Sequence, residues 1–476
     1  MTLSNANPPS PAFQAADHIV RTLRDHGYQA YFAGGCVRDL LLNLTPKDYD
    51  VTTNARPAVV LDLFPQTFAV GAHFGVVLVR QTIDGEPILT EVATFRRDGA
   101  YLDGRHPSTV TFADHPEEDV LRRDFNINGM LLNPLKLPAT WPPPPEALNA
   151  AVLDYVQGRQ DLQAGIIRAI GDPILRFTED KLRMLRAVRF AARFGYTLHP
   201  ETAAAIRRLA PQITQVSRER VRDELTRMLT EGHARCAFEL LDQTLLLPEV
   251  LPEIDRLHGV EQPPQYHPEG DVWIHTLLLL EKLPANCSPM LAWGALLHDV
   301  GKPATFQRAP DRIRFNGHVE VGVKIAAEIC RRLRFSNDET DQILALVDNH
   351  MRFAAVKEMR ESTLKRFFRL PHFDEHLALH RLDCLSSHGD LSLYDFARQR
   401  LAELPPDSVR PKLILTGRDL IAAGCQPGPR FKKLLALAED AQLEGRIHTL
   451  QEALDLVRSA ESSDKNRPTP DHPGTR

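Results

Sequence analysis

The stretch Tyr28-Gln29-Ala30-Tyr31-Phe32-Ala33-Gly34-Gly35-Cys36-Val37-Arg38-Asp39, followed by Asp48-Tyr49-Asp50, decides how the chain is read. Residues 28–33 alternate and are β-prone, so they predict a strand. Gly34-Gly35 breaks it, and residues 37–43 read as a short helix. A strand, a Gly-Gly turn and a helix leave backbone N–H groups open to a phosphate, and Arg38 can reach the same phosphate as a planar fork. Residues 48–53 read as a second strand. Asp48 and Asp50 are two apart, so both carboxylates share one face and can hold two Mg2+ ions. Glu91, in a further predicted strand over 87–95, is the candidate third carboxylate.

Working outward, Phe13, Ala16, Ile19, Val20 and Leu23 predict a helix over 12–26. Residues 68–80 read as a strand pair or bulged strand. The turn-rich stretch 97–107 reads as a mobile loop, and the proline-rich stretch 135–145 around Trp141 as a surface loop. Beyond residue 150 nearly everything is helical. The expected class is therefore α+β, a small mixed sheet with helices followed by all-α parts. The expected boundaries are a head at 12–150, a helical neck and body at 151–250, a metal-binding helical domain at 251–402, a C-terminal helical module at 412–460 and a disordered tail at 461–476.

Two later segments carry chemistry. Arg122-Arg123-Asp124-Phe125-Asn126-Ile127-Asn128-Gly129-Met130 packs charge and amides between apolar residues. Glu179-Asp180-Lys181-Leu182-Arg183 falls in a helix predicted over 178–194 with Thr178 as its N-cap. Asp180 and Arg183, three apart, would then be neighbours on one face, with Arg186 and Arg189 continuing it. A carboxylate accepts from the exocyclic amine of C and A, and a guanidinium donates to the ring acceptor beside it, so such a pair rejects G and U. The plain alternative is an ion pair beside a solvated basic stripe.

In order, Gly-Gly-x-Val-Arg-Asp, Asp-x-Asp, Arg-Arg-Asp-Phe-x-x-Asn and Glu-Asp-x-x-Arg-Met-Leu-Arg-Ala-Val-Arg-Phe resemble the class II CCA-adding tRNA nucleotidyltransferases and their bacterial poly(A) polymerase relatives, within the DNA polymerase β-like superfamily. The resemblance covers about residues 12–250. It implies that Gly34, Gly35 and Arg38 bind the nucleotide's phosphates and that Asp48 and Asp50 hold Mg2+. It implies that Arg123 and Asp124 contact the incoming nucleotide or brace the loop that does, and that Asp180, Arg183, Arg186 and Arg189 select the base. Arg218, Arg220 and Arg222 would support the neck or touch tRNA phosphates. The loop at 97–107 matches one needed to switch to A addition. Gly129 departs from the family's usual alanine, a small-for-small change expected only to loosen a helix start.

His298-Asp299 follows an apolar run at 290–297, with His275, His318, His350 and Asp383 around it. This resembles the HD phosphohydrolase superfamily. His275, His298, Asp299 and Asp383 match its four ligands, and His318 and His350 sit where binuclear members add two more. Imidazole and carboxylate ligands suit a divalent metal whose bound water could cleave phosphomonoesters or 2′,3′-cyclic phosphates.

Composition bounds the rest. The chain has 476 residues, 43% hydrophobic and 25% charged, with a net charge of −5. That length suggests roughly two to four domains. Between Arg176 and Arg235 there are 13 Lys and Arg against 7 Asp and Glu, a local excess suited to a polyanion. No apolar run approaches the about 18–20 residues of a membrane span. The first 14 residues lack a secretory pattern, and the six cysteines are scattered without C-x-x-C, which together point to the cytoplasm. The expected partners are the tRNA 3′ end, CTP and ATP. Two alternatives stay open: a poly(A) polymerase or A-adding enzyme, and an HD metal-dependent phosphohydrolase whose head only binds RNA.

Overall fold

The computed structural model describes residues 8–69, 74–99, 109–265 and 267–465. Its chain forms two compact units. The first holds Met1–Arg256 with Leu283–Cys287 and Arg332–Arg334, and the second holds the remainder.

In the first unit, helix α1 (Pro11–Asp25) starts where Ser10 Oγ accepts from the Phe13 N–H and Pro11 presets the first turn. Its Phe13, Ala16, Ile19, Val20 and Leu23 are buried at helical spacing against the sheet. The sheet has seven strands in the order β3-β4-β5-β2-β1-β8-β9. These are β1 (Ala30–Ala33), β2 (Asp50–Thr53), β3 (Thr67–Phe68), β4 (Val76–Ile83), β5 (Glu86–Thr94), β8 (Met130–Leu132) and β9 (Val152–Asp154). Strands β6 (Arg96–Asp98) and β7 (Val110–Phe112) form a separate antiparallel pair. All neighbours in the large sheet are antiparallel except β2 and β5, which run parallel with Val51 opposite Val92. Every residue of β1 and β8 is buried, as central strands covered on both faces require. Ala33 pairs with Asp50, which puts the Gly34 turn and the start of β2 at one end of the sheet.

The Gly-Gly turn behaves as expected. Gly34 has φ +76°, a conformation costly for a side-chain-bearing residue, and it precedes helix α2 (Gly35–Leu41). The 122–130 segment differs from the expected helix start. It is a short 3-10 turn at Asn126–Asn128 running into β8. A Cβ on Gly129 would lie 2.7 Å from Val156 Cγ2 and 3.0 Å from Ile170 Cδ1, so packing in the head core excludes more than glycine without a shift. Residues 100–107 of the predicted mobile loop lie outside the described residues.

The predicted helix over 178–194 is two helices. Helix α3 (Pro173–Glu179) is capped by Asp172, whose side chain accepts from the Ile174 and Leu175 N–H groups. Asp180 then takes an extended conformation (φ −142°, ψ 106°), and helix α4 (Leu182–Phe194) follows, ending at Gly195 with φ +65°. Thr178 is thus in the last turn of α3 and caps nothing. Helix α5 (Arg218–Thr230) packs on α4.

Among the described residues the second unit is helical apart from a small hairpin, Gln307–Arg308 against Ile313–Arg314, and an isolated bridge between Glu261 and Asp271. Helices α6 (Val272–Glu281), α7 (Pro289–Leu297), α8 (His318–Arg332), α9 (Asn337–Asn349) and α10 (Phe373–Ser386) surround its polar centre. Helices α6 and α7 are apolar nearly all round, which marks them as interior. The C-terminal part has its own core, including Leu415, Leu420, Ala441, Ala453 and Val457. Helix α11 (Arg430–Leu443) lies there, and the last helix, α12 (Leu450–Lys465), runs six residues past Ser459; residues 466–476 of the expected tail are outside the described ones.

Candidate functional site

One cavity of about 610 Å³ in the first unit is lined by Gly34, Gly35, Arg38, Asp48, Asp50, Arg123, Asp124, Asp180, Arg183, Arg186 and Arg189. Arg122, Asn128, Arg220 and Arg227 line it too. Residues from five separated segments therefore face one space.

At its acidic wall, Asp48 and Asp50 reach solvent on either side of the buried Tyr49, whose ring packs on Phe13 and Phe32. Only Asp50 belongs to the strand; Asp48 lies in the lead-in, so the expected two-residue alternation begins before the ladder does. Desolvation, then the like charges of Glu91 and Asp48, raise the Asp50 carboxyl to about 7 against the pull of Arg123. Since the side chain reaches solvent, the mutual repulsion of these carboxylates is the firmer cause. Glu91 itself is exposed on β5 and does not line the cavity. Three oxygen-bearing anions that repel one another fit a hard divalent cation.

The floor is a chain of hydrogen bonds that the sequence did not reveal. Arg38, expected to reach out to phosphate, is buried. Its Nη1 donates to Asn128 Oδ1 at 2.6 Å and its Nε and Nη2 donate to Asp39. Its guanidinium lies over Phe194. Asn128 Nδ2 donates to Asp124 Oδ1 at 3.1 Å, and Arg186 donates twice to Asp124 Oδ2, at 2.7 and 2.9 Å. Burial alone would raise the Asp124 carboxyl, but Arg186, Asn128 and then Arg183 bring it down to about 2. Asp124 is thus a brace between the 122–130 segment and α4. Arg123 donates to Asp119 Oδ2 at 3.0 Å, and its Nη1 would sit 3.1 Å from a Cβ on Gly34. Asp119 is fully buried and also accepts from Arg122 and from Thr52 of β2. The Asp119-x-x-Arg122-Arg123 spacing was the available signal for it.

On the far wall Asp180 and Arg183 both line the cavity, but not as neighbours on one helix face. Asp180 accepts from Arg220, at 2.7 Å to Oδ2 and 3.3 Å to Oδ1, and from the Leu182 N–H. Arg183 donates to Glu179 at 2.6 Å and to the carbonyls of Arg176 and Arg122. The helix break is the reason: Asp180 is extended and precedes α4, so it does not share that helix's face with Arg183. Arg189, placed on the same face by spacing, is buried and donates to Glu224 at 2.7 Å. It ties α4 to α5.

The second unit gathers all six expected metal ligands. Asp299 Oδ2 is 3.1 Å from His298 Nε2, while its Oδ1 is 3.8 Å from both His318 Nε2 and His350 Nε2. His275 Nε2 lies 3.2 Å from Asp383 Oδ1 and 3.3 Å from His298 Nε2. Each imidazole uses Nδ1 elsewhere: His298 on the Ala295 carbonyl, His318 on Phe315, His350 on Val347 and His275 on Glu269. Every Nε2 is therefore turned inward, and those of His318 and His350 are buried with no hydrogen-bond partner. Orphaned lone pairs converging on a bridging carboxylate fit two divalent cations. Gly301 makes this possible, since a Cβ there would lie 2.0 Å from the His318 carbonyl oxygen.

The fold and these sites define a nucleotidyltransferase-type head and RNA-binding neck joined to an HD domain. The Poly A polymerase head domain family matches residues 30–168, the probable RNA and SrmB-binding site of polymerase A matches 195–257, and the HD domain matches 271–374. A CCA-adding enzyme of Geobacillus sp. (strain WCH70) is 30% identical over 451 residues, covering 93% of this chain and 95% of that one. The chain belongs to the CCA-adding enzyme family. The CCA-adding enzyme of Bacillus pumilus is 37% identical over 61% of this chain, and that match spans 64% of the relative's length. The crystal structure of the Bacillus stearothermophilus CCA-adding enzyme in complex with CTP superposes with TM-score 0.71 at 27% identity, covering 96% of this chain and 100% of that one.

Proposed function

We propose that this chain adds or repairs the 3′-terminal CCA of tRNA, without a template, from CTP and ATP, in the cytoplasm. The observation that carries this is the single cavity joining the Asp48/Asp50 carboxylates to the arginines and Asp180 of the neck. The tRNA 3′-oxygen attacks the α-phosphorus of the nucleotide, its bond to the β-phosphate bridge breaks, and pyrophosphate leaves. Mg2+ held by Asp48 and Asp50, with Glu91 nearby, would neutralise the triphosphate and acidify the attacking hydroxyl. The chain's own groups do the rest. Gly34 and Gly35 leave space for phosphate, and Arg123, fixed by Asp119, offers it positive charge. Asp180 and Arg183 each carry hydrogen-bonding capacity beyond their present partners, and they select C and A by the donor and acceptor pattern of the base edge. Asp124 and Arg186 keep the two walls in register.

The relative solved with CTP supports the nucleotide, and no helix of the described residues is long and apolar enough to cross a membrane. The test supplies tRNA ending before CCA with labelled CTP or ATP and Mg2+. Incorporation of CTP first, then ATP, is expected. ATP incorporation without CTP would favour an A-adding or poly(A) enzyme, and no incorporation would reject the reading. Asp180→Ala is expected to weaken discrimination against UTP and GTP more than it slows transfer.

A second reading concerns the HD centre alone: hydrolysis of a phosphomonoester or 2′,3′-cyclic phosphate by a divalent-metal-bound water. The convergent Nε2 atoms of His275, His298, His318 and His350 about Asp299 favour it.

A further inference from the structure

Four imidazoles face the HD centre, and three of them rest Nδ1 on backbone carbonyls. His275 alone rests on a carboxylate, Glu269 Oε1, at 2.8 Å. The same oxygen is 2.9 Å from Nδ1 of a fifth histidine, His267. The Glu269 side chain is buried, and its other oxygen has no hydrogen-bond partner. With one carboxylate oxygen within hydrogen-bond reach of both rings, each Nδ1 donates to it and each Nε2 is left as the acceptor.

The consequences for the two rings differ. His275 is left with Nε2 toward Asp383 and His298, where a metal would bind. His267 has its ring centroid 4.9 Å from that of His275 and lines the adjoining cavity of about 400 Å³. Its Nε2 makes no hydrogen bond among the described residues and presents a lone pair to that space. Lys302 lines the same cavity at the metal end, with Nζ 2.6 Å from Asp299 Oδ2, while Phe315, Met351, Ala354 and Leu393 give it an apolar wall. A phosphate fits the metal and lysine end, a flat base fits the apolar wall, and a lone pair beside the phosphate accepts from a hydroxyl.

We propose that Glu269 orients two imidazoles at once, His275 as a metal ligand and His267 as the acceptor for the ribose hydroxyl next to the scissile phosphate, so that the HD site prefers ribonucleotide esters. The proposal rests on the hydrolase reading of this centre. Glu269 is a positioning residue and His267 a substrate-contacting one.

The test uses the full chain carrying Asp48→Ala and Asp50→Ala, so that these head carboxylates no longer take metal. Mn2+ is titrated calorimetrically into this protein and into its Glu269→Ala, Glu269→Gln and His267→Ala versions. Loss of the anchoring carboxylate lowers metal affinity about 10–100-fold in Glu269→Ala. His267→Ala keeps Mn2+ affinity within about twofold. Each Mn2+-loaded protein is then given adenosine 3′-phosphate, 2′-deoxyadenosine 3′-phosphate, adenosine 2′-phosphate and 3′-deoxyadenosine 2′-phosphate. The unsubstituted site favours the ester with the neighbouring hydroxyl by about tenfold in KM, and His267→Ala erases that preference. An unchanged preference in His267→Ala overturns its role, and so does a metal loss equal to that of Glu269→Ala, which would make His267 a ligand. Full Mn2+ affinity in Glu269→Ala overturns the role of Glu269. If none of the four esters is hydrolysed, the hydrolase reading fails and takes the His267 role with it, while calorimetry still decides Glu269.

Discussion

Asp124, expected either to contact the nucleotide or to brace the loop that does, makes the contacts of a brace. It accepts from Arg186, Asn128 and the Phe125 N–H, and its carboxyl lies near 2. A depressed folded-state pKa gives stability that is complete above the unfolded value of about 4 and is lost as pH falls from there toward 2. Asp124→Asn is expected to cost ~2 kcal/mol at neutral pH and to flatten the acid limb of an unfolding curve between about pH 4 and 2. An acid limb identical to the parent's would refute the brace. Arg220 is the second such residue, since it holds Asp180 through two hydrogen bonds. Arg220→Ala should raise KM for CTP and ATP about tenfold while kcat falls less, as expected for lost orientation of the carboxylate proposed to read the base. Steady-state kinetics with each nucleotide decides it. The carboxylates and arginines themselves were legible in the sequence because each motif is short. Their partners were not, because Arg38 and Asn128 are 90 positions apart and no local pattern announces such a bond.

At the scale of elements, residues 178–194 belong to two helices where periodicity predicts one. Apolar spacing runs on from Phe177 through Leu182 and Leu185, so periodicity alone joins α3 to α4. What breaks it is Asp180, which bonds the Leu182 N–H and Arg220 in place of continuing the helix. The strand–Gly-Gly–helix unit was legible because glycine there answers a positive φ, a local demand. Gly129 and Gly301 answer tertiary demands, which sequence hides. In Gly301→Ala the new Cβ would meet the His318 carbonyl and the Gly322 nitrogen, at 2.0 and 2.6 Å, both backbone atoms. Neither can move without shifting α8. A loss of about 3 kcal/mol in stability and weakened metal uptake at the HD centre are expected, measured by thermal unfolding and Mn2+ calorimetry. A variant that binds Mn2+ as the parent does would show that α8 needs no such close approach.

Across the whole molecule, two units carry two sets of charged residues, each assembled inside one unit. The α+β head and the helical remainder were legible from where strands stop and helices take over. The pairing order of seven strands was not, since β2 lies between β1 and β5 only through contacts distant in sequence. Separate centres should fail separately. Asp48→Ala with Asp50→Ala is expected to abolish nucleotide transfer and to leave Mn2+ binding at the HD centre intact, read by incorporation and calorimetry on the same preparation. Loss of both would contradict independent sites. The most direct test of the central claim is the 3′ sequence of a tRNA lacking CCA after incubation with this chain, Mg2+ and all four nucleoside triphosphates. The account predicts that the products gain C, C and A and then stop. Unextended tRNA, or a run of A with no C, would contradict it.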